Sequence, residues 1–448
     1  MKKYESYKTI GLPWLEKIPE HWKIFRNKNV FEESKETVGE NFSQYTLLSL
    51  TLNGIIPRDV ESGKGKFPQS FDTYKIVNVG DMAFCLFDID ETPRTVGLST
   101  HKGMLTGAYN IFHVKNINSK YINYYYLSLD TVKAMKPLYT GLRKTIGIDT
   151  FMGTKIPVPP YEEQNQIVRY LDWQTFQINK LIVSKKKQME ALKEHELYVR
   201  NSLLTKGVNS NICFQETGSN WMGKIPAHWK VSRIVKHFTI KKRIAGKEGY
   251  DVLSITQQGL KVKDISKNEG QMAANYAGYQ FVYPGDFAMN HMDLLTGYID
   301  ISKQFGVTSP DYRVFVLDDK ENCFPEYYLQ LFQMCYKRKI FYGYGRGAAN
   351  QGRWRMPAVN FRNFEIPFPP YEEQVLISEK IKGISVQTES VCKKLDEEIR
   401  VLSELKNRLV SDVVTGQIDV RGIKVPEFEL MEELVDDANP TDDITEVE

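Results

Sequence analysis

Cysteine is scarce and scattered in this chain. The five residues, Cys85, Cys213, Cys323, Cys335 and Cys392, are odd in number and form no CxxC pair. That argues against a disulfide framework or a cysteine zinc site and favours a reducing cytosol. No apolar run approaches the ~18 residues that a membrane span needs. The opening residues, MKKYESYKTIGLPWLEKIPEHW, hold no stretch resembling a secretory signal. The seven histidines show neither HExxH nor HxxxH spacing, so the usual helical metal pairs are missing. GxxxxGK followed by Ser or Thr is absent too, so the chain is not itself an ATP motor of the P-loop kind.

What is present suits a globular protein. The 448 residues are 42% hydrophobic and 26% charged, enough for two to four domains with sizeable cores. The formal net charge of +3 hides a split. The last 18 residues, MEELVDDANPTDDITEVE, carry eight acids and no Lys or Arg, which leaves +11 on residues 1–430. A basic body permits a polyanionic partner, and the acidic tail has the composition of a disordered, solvated segment.

The chain repeats itself. WLEKIPEHWK (14–23) returns as WMGKIPAHWK (221–230), YKIVNVGDMAF (74–84) as YQFVYPGDFAM (279–289), and PVPPYEEQ (157–164) as PFPPYEEQ (367–374). TLLSLTLNGI (46–55) answers DVLSITQQGL (251–260), and INYYYLSL (122–129) answers PEYYLQLF (325–332) at an offset of 203. Blocks in fixed order with a drifting offset are what a duplicated domain leaves once its surface loops diverge. The VGD and PGD triplets are turn signals, so Asp81 and Asp286 read as turn residues. The tyrosine-rich segments predict short helices. Each half is therefore expected to be α+β with mostly antiparallel sheet.

After each PPYEEQ the pattern takes a helical period. Ile167, Leu171, Ile178, Leu181, Met189 and Leu192 mark the first stripe; Ile377, Ile381, Val391, Leu395, Ile399, Leu402, Leu405 and Leu409 mark the second. Each predicts an amphipathic or coiled-coil helix of ~45 residues, ~67 Å long. The Pro pair, followed by Glu162 and Glu163 or Glu372 and Glu373, suits a helix start. Gly207 and Gly416 suit its stop, and Gly383 is a candidate interruption.

PPY also occurs in enzymes that methylate the adenine amine, where Asn, Asp or Ser precedes it and accepts a hydrogen bond. Here Val158 and Phe368 stand in that place, and neither can accept one. FYGYGRG (341–347) has the glycine spacing of a cofactor loop but lacks the strand and acid that would support it, so it reads as a Gly/Arg/Tyr loop. His21 and His228, each beside a Trp, read as packed structural elements at the head of each repeat.

The two WxxKIPxHW heads (Trp14 to Trp22, Trp221 to Trp229) and the two IPxPPYEEQ phrases (Ile156 to Gln164, Ile366 to Gln374) follow one order: domain, long helix, domain, long helix. Over residues 14 to about 420 this resembles the specificity subunit of type I restriction–modification enzymes. The resemblance implies an α+β fold with a pseudo-two-fold internal repeat. Two tandem target-recognition domains of mixed structure (1–156 and 208–366) would each precede a long spacer helix (157–207 and 367–416). The helices would pack as an antiparallel coiled coil, and 417–448 would form a C-terminal segment. It also implies a cytoplasmic subunit with no catalytic site and no cofactor of its own. Such a subunit recognises double-stranded DNA and docks two methylation subunits, and through them the motor–nuclease subunits. S-adenosylmethionine, ATP and Mg are expected on those partners. A methyltransferase carrying its own site is disfavoured by Val158 and Phe368. A coiled-coil scaffold has no need of two divergent globular domains.

The interiors differ where TGLRKTIGIDTF (140–151) answers GRGAANQGRWRMPAVNF (345–361), so the implied target is asymmetric and bipartite. Phosphate contacts call for Lys and Arg, and base edges for Arg, Lys, Asn and Gln. In the first domain the candidates are Arg58, Lys64, Lys66, Arg94, Arg143 and Lys144. In the second they are Lys241, Lys242, Arg243, Arg346, Asn350, Gln351, Arg353 and Arg355. Lys185, Lys186 and Lys187 fit a solvated helix face.

Overall fold

A computed structural model describes residues 2–58, 70–139, 144–209, 211–264, 275–347 and 354–428. The chain divides into two compact units. One holds residues 1–188 with 394–448, the other residues 189–393.

In the first unit a hairpin of β1 (Tyr7–Leu12) and β2 (Leu15–Pro19) leads into β3 (Lys23–Arg26). A four-stranded antiparallel sheet follows, in the order β4 (Phe31–Ser34), β11 (Asn110–Val114), β8 (Met82–Phe84), β9 (Val96–Leu98). β5 (Leu48–Thr51) pairs β6 (Gly54–Pro57), and β7 (Lys75–Val77) pairs β10 (Gly103–Leu105). Helices α1 (Ser119–Thr131) and α2 (Ile148–Gly153) precede β12 (Lys155–Val158), which returns to β3. Helix α3 (Tyr161–Lys206) begins two residues later.

The second unit repeats this plan. β13 (Phe214–Glu216) pairs β14 (Lys224–Pro226), and β15 (Lys230–Arg233) pairs β24 (Glu365–Phe368). The sheet runs β16 (Phe238–Lys241), β23 (Arg313–Leu317), β20 (Phe287–Met289), β21 (Ile299–Ile301). β17 (Leu253–Thr256) pairs β18 (Gly259–Val262), and β19 (Gln280–Val282) pairs β22 (Gly306–Thr308). Helices α4 (Pro325–Lys337) and α5 (Ala358–Asn363) complete it, and α6 (Tyr371–Val414) starts in it and ends in the first unit. α6 runs through Gly383 without a break.

Each core is an aromatic cluster where sheet meets helix. Phe31, Phe84, Phe112, Tyr126 and Phe151 pack with ring centroids 4.9–6.0 Å apart in the first unit. In the second, Phe238, Phe315, Phe332 and Phe361 take the places of Phe31, Phe112, Tyr126 and Phe151, while Phe287 stands where Met82 does and Met289 where Phe84 does. One exchange is coupled. The buried Tyr126 hydroxyl donates to Asn27 Oδ1 at 2.7 Å, and Asn27 Nδ2 donates to the Phe151 carbonyl at 2.7 Å. The second unit has Phe332 and Ile234 instead, both buried, so hydroxyl and amide vanish together and neither is left without the other.

Two details correct the sequence reading. The hydroxyls of Tyr121 and Tyr327 reach the ends of the long helices, at the Val414 and Leu204 carbonyls (3.3 and 2.9 Å). The helices α1 and α4 therefore match at an offset of 206, three residues from the offset of best letter identity. On α3, Ile167, Leu171 and Ile178 are buried as the period placed them, but at the next turn Ile182 and Val183 are buried while Leu181 is half exposed.

The residues after α6 belong to the first unit. Asp419 N donates to the Lys2 carbonyl at 2.9 Å, Gln417 Nε2 to the Lys17 carbonyl at 3.1 Å, and Gln166 Nε2 to the Val420 and Ile423 carbonyls at 2.9 and 2.7 Å. The turn that starts this segment uses Gly416 at φ +74°, where a Cβ would sit 2.3 Å from Pro19 Cδ and 3.2 Å from Trp22 Cη2. Gly416→Ala is expected to lower stability by about 2 kcal/mol or more, combining left-handed strain with overpacking. Gly11→Ala, at φ +67° in open space, should cost about 1 kcal/mol. Urea denaturation of the two variants checks the difference.

Candidate nucleic-acid interface

The repeated phrases meet each other. Glu163 is the third residue of α3, where the positive end of the helix favours a carboxylate. Its Oε1 accepts from Trp22 Nε1 (2.9 Å) and the Tyr4 hydroxyl (2.6 Å), and its Oε2 lies 2.7 Å from His21 Nε2. Burial, then the bond to Glu163, pushes the Tyr4 phenol above its ordinary pKa, so it stays a donor. In the second unit Glu373 binds Trp229 Nε1 at 3.0 Å and His228 Nε2 at 2.6 Å. The following glutamines also match. Gln164 donates to the Pro159 carbonyl and Gln374 to the Pro369 carbonyl, both at 2.9 Å, while their side-chain oxygens accept from Asn118 N and Phe324 N. PPYEEQ thus starts a helix and clamps it to the head of its own unit. The first prolyl carbonyl of each PPY is already bonded, Val158 is a strand residue paired with Lys23, and Phe368 stacks on His237 at 4.5 Å. None of this resembles a site that holds an amine.

The turn reading holds. Asp81 Oδ2 accepts from Asn78 N at 2.8 Å, and Asp286 Oδ2 from Tyr283 N at 2.9 Å.

In the first unit Arg58 follows β6 and is half buried. Arg94 donates to Asp130 Oδ2 at 3.3 Å and is largely buried. Lys144 is exposed and pairs with Glu91 and Asp90, and the Glu91 contact raises its pKa. Lys64, Lys66 and Arg143 lie outside the described residues. In the second unit Lys241 ends β16, Lys242 is exposed, and Arg243 donates to Asp286 Oδ2 at 2.6 Å with its guanidinium 4.8 Å from the Tyr283 ring. Arg346 and Arg355 exchange backbone bonds at 2.7 and 3.1 Å, which sets two exposed guanidinium-bearing residues opposite each other. Trp354 stacks on Tyr342 at 5.1 Å beside them. Asn350, Gln351 and Arg353 lie outside the described residues. Lys185 pairs with Glu398.

Sequence reasoning missed the aromatic company of Arg243. Tyr250, Phe281, Tyr283 and Phe305 pack with centroids 5.0–6.2 Å apart, with Tyr283 and Phe305 about two-fifths exposed and Lys247 5.8 Å from Tyr250. The alternation in YQFVY was a legible signal; Phe305 was not. Among the described residues one group has metal-ligand chemistry: His237, Asp319 and Cys323, with ligand atoms within 4.8 Å of one another. Both imidazole nitrogens are engaged, by Ser232 Oγ at 2.7 Å and Asp319 Oδ2 at 2.9 Å. Burial pushes the Cys323 thiol up to about 12, which opposes thiolate ligation. The arrangement is that of a packed hydrogen-bond chain.

The model of the family described as type I restriction modification DNA specificity domain matches residues 96–193 and 231–400, one stretch in each repeat and more than half of the chain. The chain belongs to that family. It is a type I specificity subunit, a DNA-recognition chain of a restriction–modification complex and not its catalytic part. A chain named as the MjaX specificity subunit of a type I restriction enzyme, from Methanocaldococcus jannaschii, is 24% identical across 94% of this chain and 98% of its own length. The MjaVIII specificity subunit of the same organism is 25% identical across 61% and 64%. A chain solved in work on complex assembly and conformational transition of the type I R-M system shares the fold. Its TM-score is 0.60, at 12% identity over 90% of this chain and 99% of that one. No helix among the described residues is long and apolar enough to cross a membrane.

The clamps of the specificity subunit are unequal. The Glu163 side chain is 5% exposed and that of Glu373 34%. Glu163→Ala, which strands the indole and phenol donors, should cost about 3 kcal/mol; Glu373→Ala should cost about 1–2 kcal/mol. Denaturant unfolding of each variant measures this. Acid adds a second expectation. Burial, then Arg313 and Arg355, pushes the His291 pKa down to about 4. The unfolded imidazole titrates near ~6.5, so the native state loses stability as pH falls from there towards 4. His291→Gln should flatten that part of the stability–pH curve.

Proposed function

We propose that the two units read the two halves of an asymmetric, bipartite target in double-stranded DNA, and that the long helices serve as the spacer between them. One observation carries this reading: a single scaffold occurs twice, with the same carboxylate clamp and the same aromatic core, while the exposed polar groups differ between copies. A copied frame with unlike surfaces is suited to reading two unlike half-sites. Arg346 and Arg355 beside Trp354, and Lys241 to Arg243 beside Tyr283, are the base- and phosphate-contact candidates of the second unit. Arg58 and Lys144 are those of the first. Lys64, Lys66, Arg143, Asn350, Gln351 and Arg353 complete the set by their chemistry. The two domains, 1–156 and 208–366, are taken as the readers, 157–207 and 367–416 as the helices, and 417–448 as the C-terminal segment.

Within the first unit Asn179 meets Lys406 and Lys185 meets Glu398; within the second Glu196 meets Ser385. In the first unit one number rises as the other falls, which supports an antiparallel coiled coil. The exposed remainder of the helices, such as Val386, Val391, Val401 and Leu405, suits docking of two methylation subunits. Through these the complex would gain its motor–nuclease subunits. S-adenosylmethionine, ATP and Mg would act on those partners, with no cofactor on this chain, and the assembly would work in the cytoplasm.

Methylome sequencing of the host with and without this gene tests the reading. One two-part adenine-methylated motif should disappear, and an unchanged methylome would refute it. In the reconstituted complex, Arg355→Ala is expected to relax discrimination by about 1–3 kcal/mol in one half-site only. Equal loss in both half-sites would contradict the assignment of one unit to each.

A further inference from the structure

Arg94, so far a DNA candidate, does not stand on an open face. It lines a cavity of about 550 Å³ in the first unit, walled by the Pro93–Arg94 turn, α1, the first half of α3 and the second half of α6. Three cations, Arg94, Lys133 and Lys406, and two carboxylates, Asp130 and Asp172, line it. The carboxylates are fully used. Asp130 takes Arg94 at 3.3 Å, Lys133 at 2.8 Å and the Thr95 amide and hydroxyl. Asp172 takes Lys120 at 2.9 Å and the Tyr124 hydroxyl at 2.8 Å.

Three polar groups remain under-served. Lys406 Nζ donates to the neutral Asn179 Oδ1 at 3.1 Å and has no carboxylate partner among the described residues. Burial, then Arg94 and Lys186, lowers its pKa. Arg94 Nε and Asn123 Oδ1 are buried without a hydrogen-bond partner among the described residues. A desolvated cation facing other cations, with the vacant Arg94 N–H at hand, is unfavourable unless an anion joins it, while the vacant Asn123 oxygen calls for a donor. Guanidinium and ammonium together are the usual phosphate ligands. The volume falls in the range of small-ligand sites, and Leu52, Leu127, Phe176 and Val410 give the cavity an apolar side.

We propose that this cavity binds a phosphate ester, with the phosphate beside Lys406 and Arg94 Nε, a hydroxyl or amine of the ligand donating to Asn123 Oδ1, and the body of the ligand on the apolar wall. The phosphate could belong to a free nucleotide or to the DNA backbone. The second source rests on the DNA reading above, and the first does not.

The full chain, co-purified with its methylation partner, is titrated calorimetrically with AMP, and separately with target duplex across a range of salt. Lys406→Met and Asn123→Asp are compared with the unaltered chain. If the ligand is free, AMP binds and both variants weaken it at least tenfold, with duplex binding untouched. If the ligand is DNA, AMP is ignored, and Lys406→Met reduces the slope of log affinity against log salt by about 0.9 while the preferred bases stay the same. Either result supports the site. Variants indistinguishable from the unaltered chain with both probes overturn it. So does a fall in melting temperature for Lys406→Met without ligand, since relieving an uncompensated cation should leave stability equal or higher. Loss of sequence preference with an unchanged salt slope would count against the half-site reading and leave this site standing only if AMP binds.

Discussion

One indole in each unit touches the start of one long helix and the end of the other. Trp22 gives its N–H to Glu163 at the start of α3, and its ring lies under Gly416 at the end of α6. Trp229 gives its N–H to Glu373 at the start of α6 and lies under Gly207 at the end of α3. A helix leaves its first N–H groups and last carbonyls unsatisfied, so its ends are where it is most easily moved. Fixing the start of one helix and the end of the other against one rigid side chain sets where both meet that unit. The carboxylate works because it sits at the positive pole of its helix, and the glycine because no Cβ fits beneath the ring.

Around that joint the two copies have diverged in a disciplined way. The aromatic core keeps most of its places, and one polar exchange within it, Tyr126 with Asn27 for Phe332 with Ile234, changes both partners together. Exposed positions carry no such restraint. Arg346 and Arg355 have their backbone bonds fixed while their side chains are free to be replaced. Recognition can therefore change at little cost to the fold, which is the usual division between scaffold and loop.

The duplication, the long helices and their ends were all legible, because WxxKIPxHW and PPYEEQ repeat almost letter for letter and a 3.6-residue period is hard to mistake. Their purpose was not. His21 and Glu163 are 142 residues apart, and nothing in the composition of either phrase says that they share hydrogen bonds. Letter matching also favoured the wrong offset for α1 and α4, because tyrosines recur along both helices and only the two hydroxyls that reach a helix end mark the true equivalence. Lys406 sits in a lysine-rich helix and looks like any solvated residue there. Its burial follows from contacts with residues more than 200 positions away.

The stretch from Gly416 to Phe428 has a consequence for how the protein is made. It supplies bonds to Lys2, Lys17 and Gln166, so the first unit is completed only by residues translated after the second. The central unit, continuous in sequence, can close while its neighbour still waits for a missing edge. Domains commonly mature in the order in which they are translated. Here residues translated after the second unit complete the first, so the head of the first unit stays unsealed until they emerge.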